Sequence, residues 1–334
     1  MGDLKYLTDS YDVKIAKIKE INAPLNFLFM CDQHNRMNHM DAMRNGTDEY
    51  ELAVNAIDSM HYILERCPEI TFLVNGGDMI NDYEPDPVKA HASLQEVMDA
   101  FYRLPIPVHT CIGNHDDAIG TAMVRGWDVS RVAILPDEMH ELCMKYNPTD
   151  KNYYYIDVDA GDDKWRMIFL NTADSQYVMR NGKFVAPDNS QISWEQIAWF
   201  RDDATKTDRN IIVFSHQPIH NGPFCDEHGV RTGFNPFDNV HGAPEVYYYA
   251  FHRPNVKFMV AGHTHYDYIH VDRDLPTITT MCSLTQEPRG CHNRVYGTPT
   301  ETAFDVFSIK NGLVYMTRFG AGEDRSIILP RMRY

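Results

Sequence analysis

Short, mostly apolar runs punctuate the first third of the chain, and each stops at a cluster of polar residues. Leu25-Asn-Phe-Leu-Phe-Met-Cys31, Thr71-Phe-Leu-Val74 and Val108-His-Thr-Cys-Ile112 are rich in aromatic and β-branched residues. They read as strands buried on both faces, the habit of a parallel sheet. Between them the apolar positions recur at helical spacing. Leu52, Ala53, Ala56, Ile57, Met60, Ile63 and Leu64 predict a helix over 47–66, opened by Thr47 and Asp48 and closed before Pro68. Val88, Ala92, Leu94, Val97, Met98 and Phe101 predict a second over 86–103, ended by Pro105 and Pro107. Strands alternating with helices form βαβ units with right-handed crossovers, and such sheets hold ligands beyond the carboxyl ends of their strands. Residues 1–23 fit an edge strand or a short helix equally well.

The pattern then changes. Asn152-Tyr-Tyr-Tyr-Ile-Asp-Val158 and Trp165-Arg-Met-Ile-Phe-Leu170, joined through a Gly-Asp-Asp turn, predict an antiparallel hairpin that starts a second sheet. Ser193 caps a helix to about Ala204, with Gln196 in the capping-box position. Ile211-Ile-Val-Phe214 and the run from Val256 to Ala261 are further buried strands, separated by a long polar stretch from His220 to Pro244. The segments 277–281, 303–309 and 313–318 read as meander strands of the second sheet. No repeat, low-complexity tract or linker interrupts the chain. The expectation is one domain over 1–334, with core motifs in 25–265 and strands in 266–334 completing the second sheet.

The polar clusters that end the strands carry the chemistry. They are Asp32-Gln-His34, Asn75-Gly-Gly-Asp78, Gly113-Asn-His-Asp116, Ser215-His216 and Gly262-His-Thr-His265. A lone histidine at a strand end is usually a hydrogen-bonded structural residue, and an aspartate after Gly-Gly is usually a turn cap. Five strand ends carrying such groups are better explained by one shared site. Nitrogen and oxygen donors without thiolates suit Mn, Fe, Zn or Co, whereas Ca²⁺ would not favour four imidazoles.

In this order the motifs resemble the calcineurin-like metallophosphoesterases over residues 32–265. The resemblance implies an α/β fold, a four-layer α/β/β/α sandwich of two mixed sheets flanked by helices. It further implies two divalent metal ions, with Asp32, His34 and His265 on the first, Asn114, His216 and His263 on the second, and Asp78 bridging. The activity implied is hydrolysis of a phosphoric ester, a small phosphodiester or nucleotide, by a hydroxide activated between the ions. The matching histidine of the family, His115 here, points at the leaving-group oxygen. Asp116 then either orients that imidazole or caps the turn. The alternatives are a phosphomonoesterase with the same centre and an inactive interaction scaffold of the same fold, though every presumed ligand is present. Purple acid phosphatases carry a tyrosine three residues after the bridging aspartate; here that position is Asn81, with Tyr83 two further on, so a colourless centre is expected.

Composition narrows the partners. The formal net charge of -16 disfavours extended nucleic acid and anionic membranes. Two divalent ions set against Asp32, Asp78 and a hydroxide would still leave the pocket locally cationic, so a small phosphate ester can enter. The seven cysteines contain no C-x-x-C pair and several lie in apolar runs. Cys31, next to Asp32, is expected to be a buried thiol on the opposite face of the strand. With no long apolar segment, the expectation is a cytoplasmic protein whose oligomeric state is not legible. Asn35, Arg36, His39, His220 and His228 are candidates for the rim of the site.

Overall fold

In a computed structural model the described residues are 4–35, 52–82, 84, 86–174, 177–185, 190–220, 222–225, 231–235, 240–283, 294–295 and 297–332. Two short helices, α1 (Lys5–Thr8) and α2 (Tyr11–Ile21), precede β1 (Leu25–Met30). The helical alternative therefore holds for the first residues, with Tyr11, Ile15 and Ile18 of α2 buried. There follow α3 (Leu52–Leu64), β2 (Ile70–Asn75), α4 (Pro87–Tyr102), β3 (Val108–Thr110), α5 (Gly120–Arg125) and α6 (Pro136–Cys143). Asp86 caps α4 by accepting from the Val88 amide, and Pro87 occupies the first turn, where its missing N–H costs nothing.

The second half begins with the hairpin β4 (Tyr154–Ala160) and β5 (Asp163–Phe169), then a small hairpin β6 (Val178–Arg180) and β7 (Lys183–Val185). Helix α7 (Trp194–Trp199) starts at the Ser193 cap and ends in one π turn over Phe200–Ala204. Beyond it come β8 (Asn210–Ser215), a two-stranded ribbon of β9 (Gly222–Cys225) and β10 (Arg231–Asn235), α8 (Ala243–Phe251), β11 (Val256–Ala261), β12 (Tyr268–Asp272) and β13 (Leu275–Thr279). The chain closes with β14 (Ala303–Lys310), β15 (Leu313–Gly320) and β16 (Arg325–Ile328).

Two mixed six-stranded sheets result, in the orders β16-β15-β14-β1-β2-β3 and β12-β13-β11-β8-β5-β4. β1, β2 and β3 run parallel in the first, as do β5, β8, β11 and β13 in the second. The predicted place of the last strands needs correction: β14, β15 and β16 join the first sheet, and only β12 and β13 extend the second. The register explains why. β14 lies antiparallel to β1, with Phe307 opposite Phe27, which places both rings in the layer between the sheets.

That layer is aromatic. Phe27 stacks between Phe72 and Phe307 and meets Phe214 of the opposite sheet edge to face at 5.6 Å, while Phe214 stacks on Phe169 at 5.3 Å. Such rings contribute about 0.5–1.5 kcal/mol per pair beyond their buried area, so this seam fixes how one sheet lies on the other. Helices α2, α3 and α4 cover the outer face of the first sheet, and α7 and α8 that of the second, which completes the four layers.

Candidate metal centre

The strand ends meet at one edge of the sandwich, and both sheets supply donors. Asp32 and His34 follow β1, Asp78 follows β2, and Asn114 and His115 follow β3; His216 follows β8, and His263 and His265 follow β11. Among the described residues two groups have ligand atoms within 4.8 Å of one another, Asp32, His34, Asp78 and His265 in the first and Asp78, His216 and His263 in the second. Asp78 belongs to both. Its Oδ2 lies 3.0 Å from His216 Nε2 and 3.8 Å from His34 Nε2. Asn114 Oδ1 is 3.2 Å from the same His216 nitrogen.

The backbone is contorted to achieve this. Asp32, His34, Asp78, His263 and His265 all have positive φ, between 44° and 64°. Left-handed backbone costs a non-glycine residue of order 1 kcal/mol, and five instances at one place mark a functional site. Glycines make room for the turns. A Cβ on Gly113 would lie 2.1 Å from Asp78 Oδ1, and one on Gly262 would lie 2.7 Å from Asp32 Oδ2. The amide of His115 donates to Asp78 Oδ1 and that of His263 to both oxygens of Asp32, so the carboxylates are held by main chain.

The donor set fits a pair of cations. His34 Nε2 and His265 Nε2 stand 3.2 Å apart, as do His263 Nδ1 and His216 Nε2 at 3.3 Å, and one hydrogen at most can serve each such pair. His34 Nδ1 is buried with no hydrogen-bond partner among the described residues. Burial holds the His34 imidazole down at about 3, which keeps it neutral and ready to ligate. Burial raises both carboxylates, but imidazoles outweigh it. His265 and His216 bring Asp32 down to about 2, while His216, His115 and His34 hold Asp78 well below the usual range. The Nδ1 of His216 contacts the Gly76 carbonyl at 2.8 Å, an orienting bond of the kind metal-binding histidines use.

A model of the calcineurin-like phosphoesterase family matches residues 25–267. The chain belongs to the calcineurin-like phosphoesterases. The family is dimetal-dependent and acts on small phosphate esters. Among solved structures, a dimetal phosphatase from Danio rerio aligns with a TM-score of 0.58 at 13% identity, over 92% of this chain and 99% of that one. GAP50, the anchor in the inner membrane complex of Plasmodium, aligns with a TM-score of 0.50 at 15% identity, over 91% and 88%. At such identities the likeness is one of fold. No curated protein sequence matches.

For a phosphoesterase of this family the roles around His115 need one revision. The carboxylate beside its imidazole is Asp82, whose Oδ1 lies 2.7 Å from His115 Nδ1, and not Asp116. Asp116 is fully buried and accepts from the amides of Gly113, Asp78, Met79 and Ile80, so it clamps the turns after β2 and β3 together and does not reach the imidazole. Burial and the Asp78 charge push its carboxyl up to about 6, despite those amides. Burial lowers His115, but Asp78 and Asp82 outweigh it and bring the imidazole up to about 9. Asp82 stands four residues after Asp78 in an ordinary loop, and nothing in the sequence singles it out.

The rim candidates divide. Asn35 is buried and donates to the Ser93 carbonyl and to Glu96, which gives it a structural part. His220 stacks on Tyr247 at 3.8 Å and lies 3.3 Å from Asp272. Arg36, His39 and His228 lie outside the described residues, as does Tyr83. Cys31 is buried with its Sγ 3.1 Å from Thr280 Oγ1, and it belongs to neither donor group. No helix among the described residues is long and apolar enough to cross a membrane.

Proposed function

We propose that this chain hydrolyses a small phosphate ester at a two-metal centre. Asp32, His34 and His265 would hold one ion, Asn114, His216 and His263 the other, and Asp78 both. The observation that carries the reading is that two separate donor groups, drawn from both sheets, share the single carboxylate of Asp78. Bound there, two Mn, Fe, Zn or Co ions would supply Lewis-acid stabilisation of the phosphoryl charge and a water of lowered pKa.

The chain's own residues supply the rest. Asp78 and Asp32 stay ionised and fixed by main-chain amides, so the centre is assembled before substrate arrives. His115 Nε2 lies 3.8 Å from Asp78 Oδ2, while Asp82 holds its Nδ1. Asp82 at its Nδ1 favours the charged imidazole, whose Nε2 proton would pass to the leaving-group oxygen. Among the described residues Cys31, Cys67, Cys111, Cys143 and Cys282 are buried free thiols, which supports a reducing, cytoplasmic setting.

The test is a paired assay after Mn²⁺ loading, with bis-p-nitrophenyl phosphate and p-nitrophenyl phosphate. Turnover of either supports the hydrolase, and the ratio assigns diester or monoester preference. No hydrolysis of either ester, with well under one ion per chain by metal analysis, would return the chain to the scaffold reading.

A further inference from the structure

A buried ion network lies behind the centre, in the segment Arg318-Phe-Gly-Ala-Gly-Glu-Asp-Arg325 and the strand beside it. Asp305 of β14 and Arg318 of β15 are cross-strand partners, both almost wholly buried. Arg318 donates through Nε and Nη2 to the two Asp305 oxygens, each at 2.9 Å, and through Nη2 to Asp267 Oδ1 at 2.6 Å. Its Nη1 donates to the Ala321 carbonyl at 3.0 Å. Arg325 of β16 repeats the pattern, reaching Asp305 and Asp267 at 2.5 Å each. Gly322 leaves room for the fork, since a Cβ there would lie 2.7 Å from Arg318 Nη1.

Asp267 is the one member from the other sheet. It stands two residues after His265, at the end of the turn where His263 and His265 take left-handed backbone. Its Oδ1 also accepts from the Met281 amide, and Thr279 Oγ1 donates to the Tyr266 carbonyl, so this turn hangs between the end of β13 and the two guanidinium groups. The first sheet presents Asp32, His34, Asp78 and Asn114, the second His216, His263 and His265. The network therefore crosses the sandwich where the two halves of the donor set must meet. Packing alone does not call for such charges, because well-packed apolar residues usually stabilise a core at least as well as a buried ion pair.

We infer that Asp267, held by Arg318 and Arg325, is a positioning residue that sets His263 and His265 against Asp32 and Asp78 at the spacing a metal pair requires. This rests on the proposed metal centre. Outer partners of metal ligands commonly govern affinity without touching the ion.

The experiment titrates Mn²⁺ into the metal-free full chain by calorimetry and records Tm with and without the metal. In Asp267→Ala the affinity falls by about tenfold or more, and the rise in Tm on metal addition shrinks with it. Asp267→Asn, which keeps the volume, loses less in the same direction and stands in if the alanine variant does not fold. Asp58→Ala is the matched control. Asp58 of α3 is buried and pairs with Arg103 at 2.9 Å, outside the network. It lowers Tm and leaves Mn²⁺ affinity as in the wild type. Wild-type affinity in the Asp267 variants, or an equal loss in Asp58→Ala, overturns the inference. A wild-type chain that binds no Mn²⁺ overturns the metal centre as well.

Discussion

Replacing Asp82 by Asn keeps the shape of the side chain and removes the charge that faces His115. The carboxylate is buried, the contact is 2.7 Å, and the imidazole is about a quarter exposed, with 25% of its side-chain surface accessible. A hydrogen bond to a charged group in such a place contributes about 1.5–3 kcal/mol, which is roughly 10- to 100-fold in kcat. The loss must depend on the leaving group if His115 is the proton donor. An alkoxide needs the proton, whereas p-nitrophenolate leaves nearly unaided. The assay compares kcat for phenyl and p-nitrophenyl esters in wild type and Asp82→Asn at full metal occupancy, which metal analysis establishes beforehand. The variant should be slowed by the stated factor on the phenyl ester and only slightly on the p-nitrophenyl ester. Equal slowing on both, or no slowing with two ions bound, would remove the Asp82 and His115 pair from proton donation.

Four further outcomes follow from particular contacts. Asn114→Ala should lower bound metal from two ions toward one per chain, because Asn114 Oδ1 lies 3.2 Å from His216 Nε2 and is proposed for the second ion alone; metal analysis after dialysis checks it. Gly113→Ala should abolish tight binding of both ions, since the added Cβ would meet Asp78 Oδ1 at 2.1 Å and the Asp78 backbone nitrogen at 2.2 Å; calorimetry with Mn²⁺ measures this. With Asn81 at the position of the purple enzymes' tyrosine, the purified, metal-loaded protein should show no visible charge-transfer band in its absorption spectrum. Finally, His109 is buried against Phe169 and burial pushes it down to about 4. An imidazole ordinarily titrates near 6.5, so the unfolded chain takes up a proton that the native state refuses, and stability present above about pH 6.5 is lost as pH falls toward 4, by at most about 3 kcal/mol. His109→Phe, which keeps a ring on Phe169, should therefore lose less Tm than the wild type between pH 7 and pH 4.5.

The strands and the donors were legible because both obey local rules. Each apolar run from Leu25, Thr71, Val108, Ile211 and Val256 is a strand, and each polar cluster after it lies at the site. What escaped was set by contacts distant in sequence. β14 reads equally well as a strand of either sheet, and only the packing of Phe307 against Phe27 places it beside β1. Asp116 adjoins His115 and could by sequence either orient its ring or cap the turn, whereas Asp82 stands in an ordinary loop. The neighbouring residue points its carboxylate at backbone amides, while the one 33 positions earlier reaches the ring. The Arg318 segment shows only two alternating glycines, with nothing to indicate that its guanidinium spans both sheets.

The left-handed backbone at the proposed ligands limits what can replace them. Aspartate and histidine are among the few non-glycine residues that enter this conformation readily, and both also bind hard or borderline cations. Asp32, His34, Asp78, His263 and His265 thus meet two independent requirements at once. Glutamate offers the same functional group as aspartate and glycine accepts the same backbone, yet neither satisfies both demands, so substitutions acceptable elsewhere on chemical grounds are closed to these five positions.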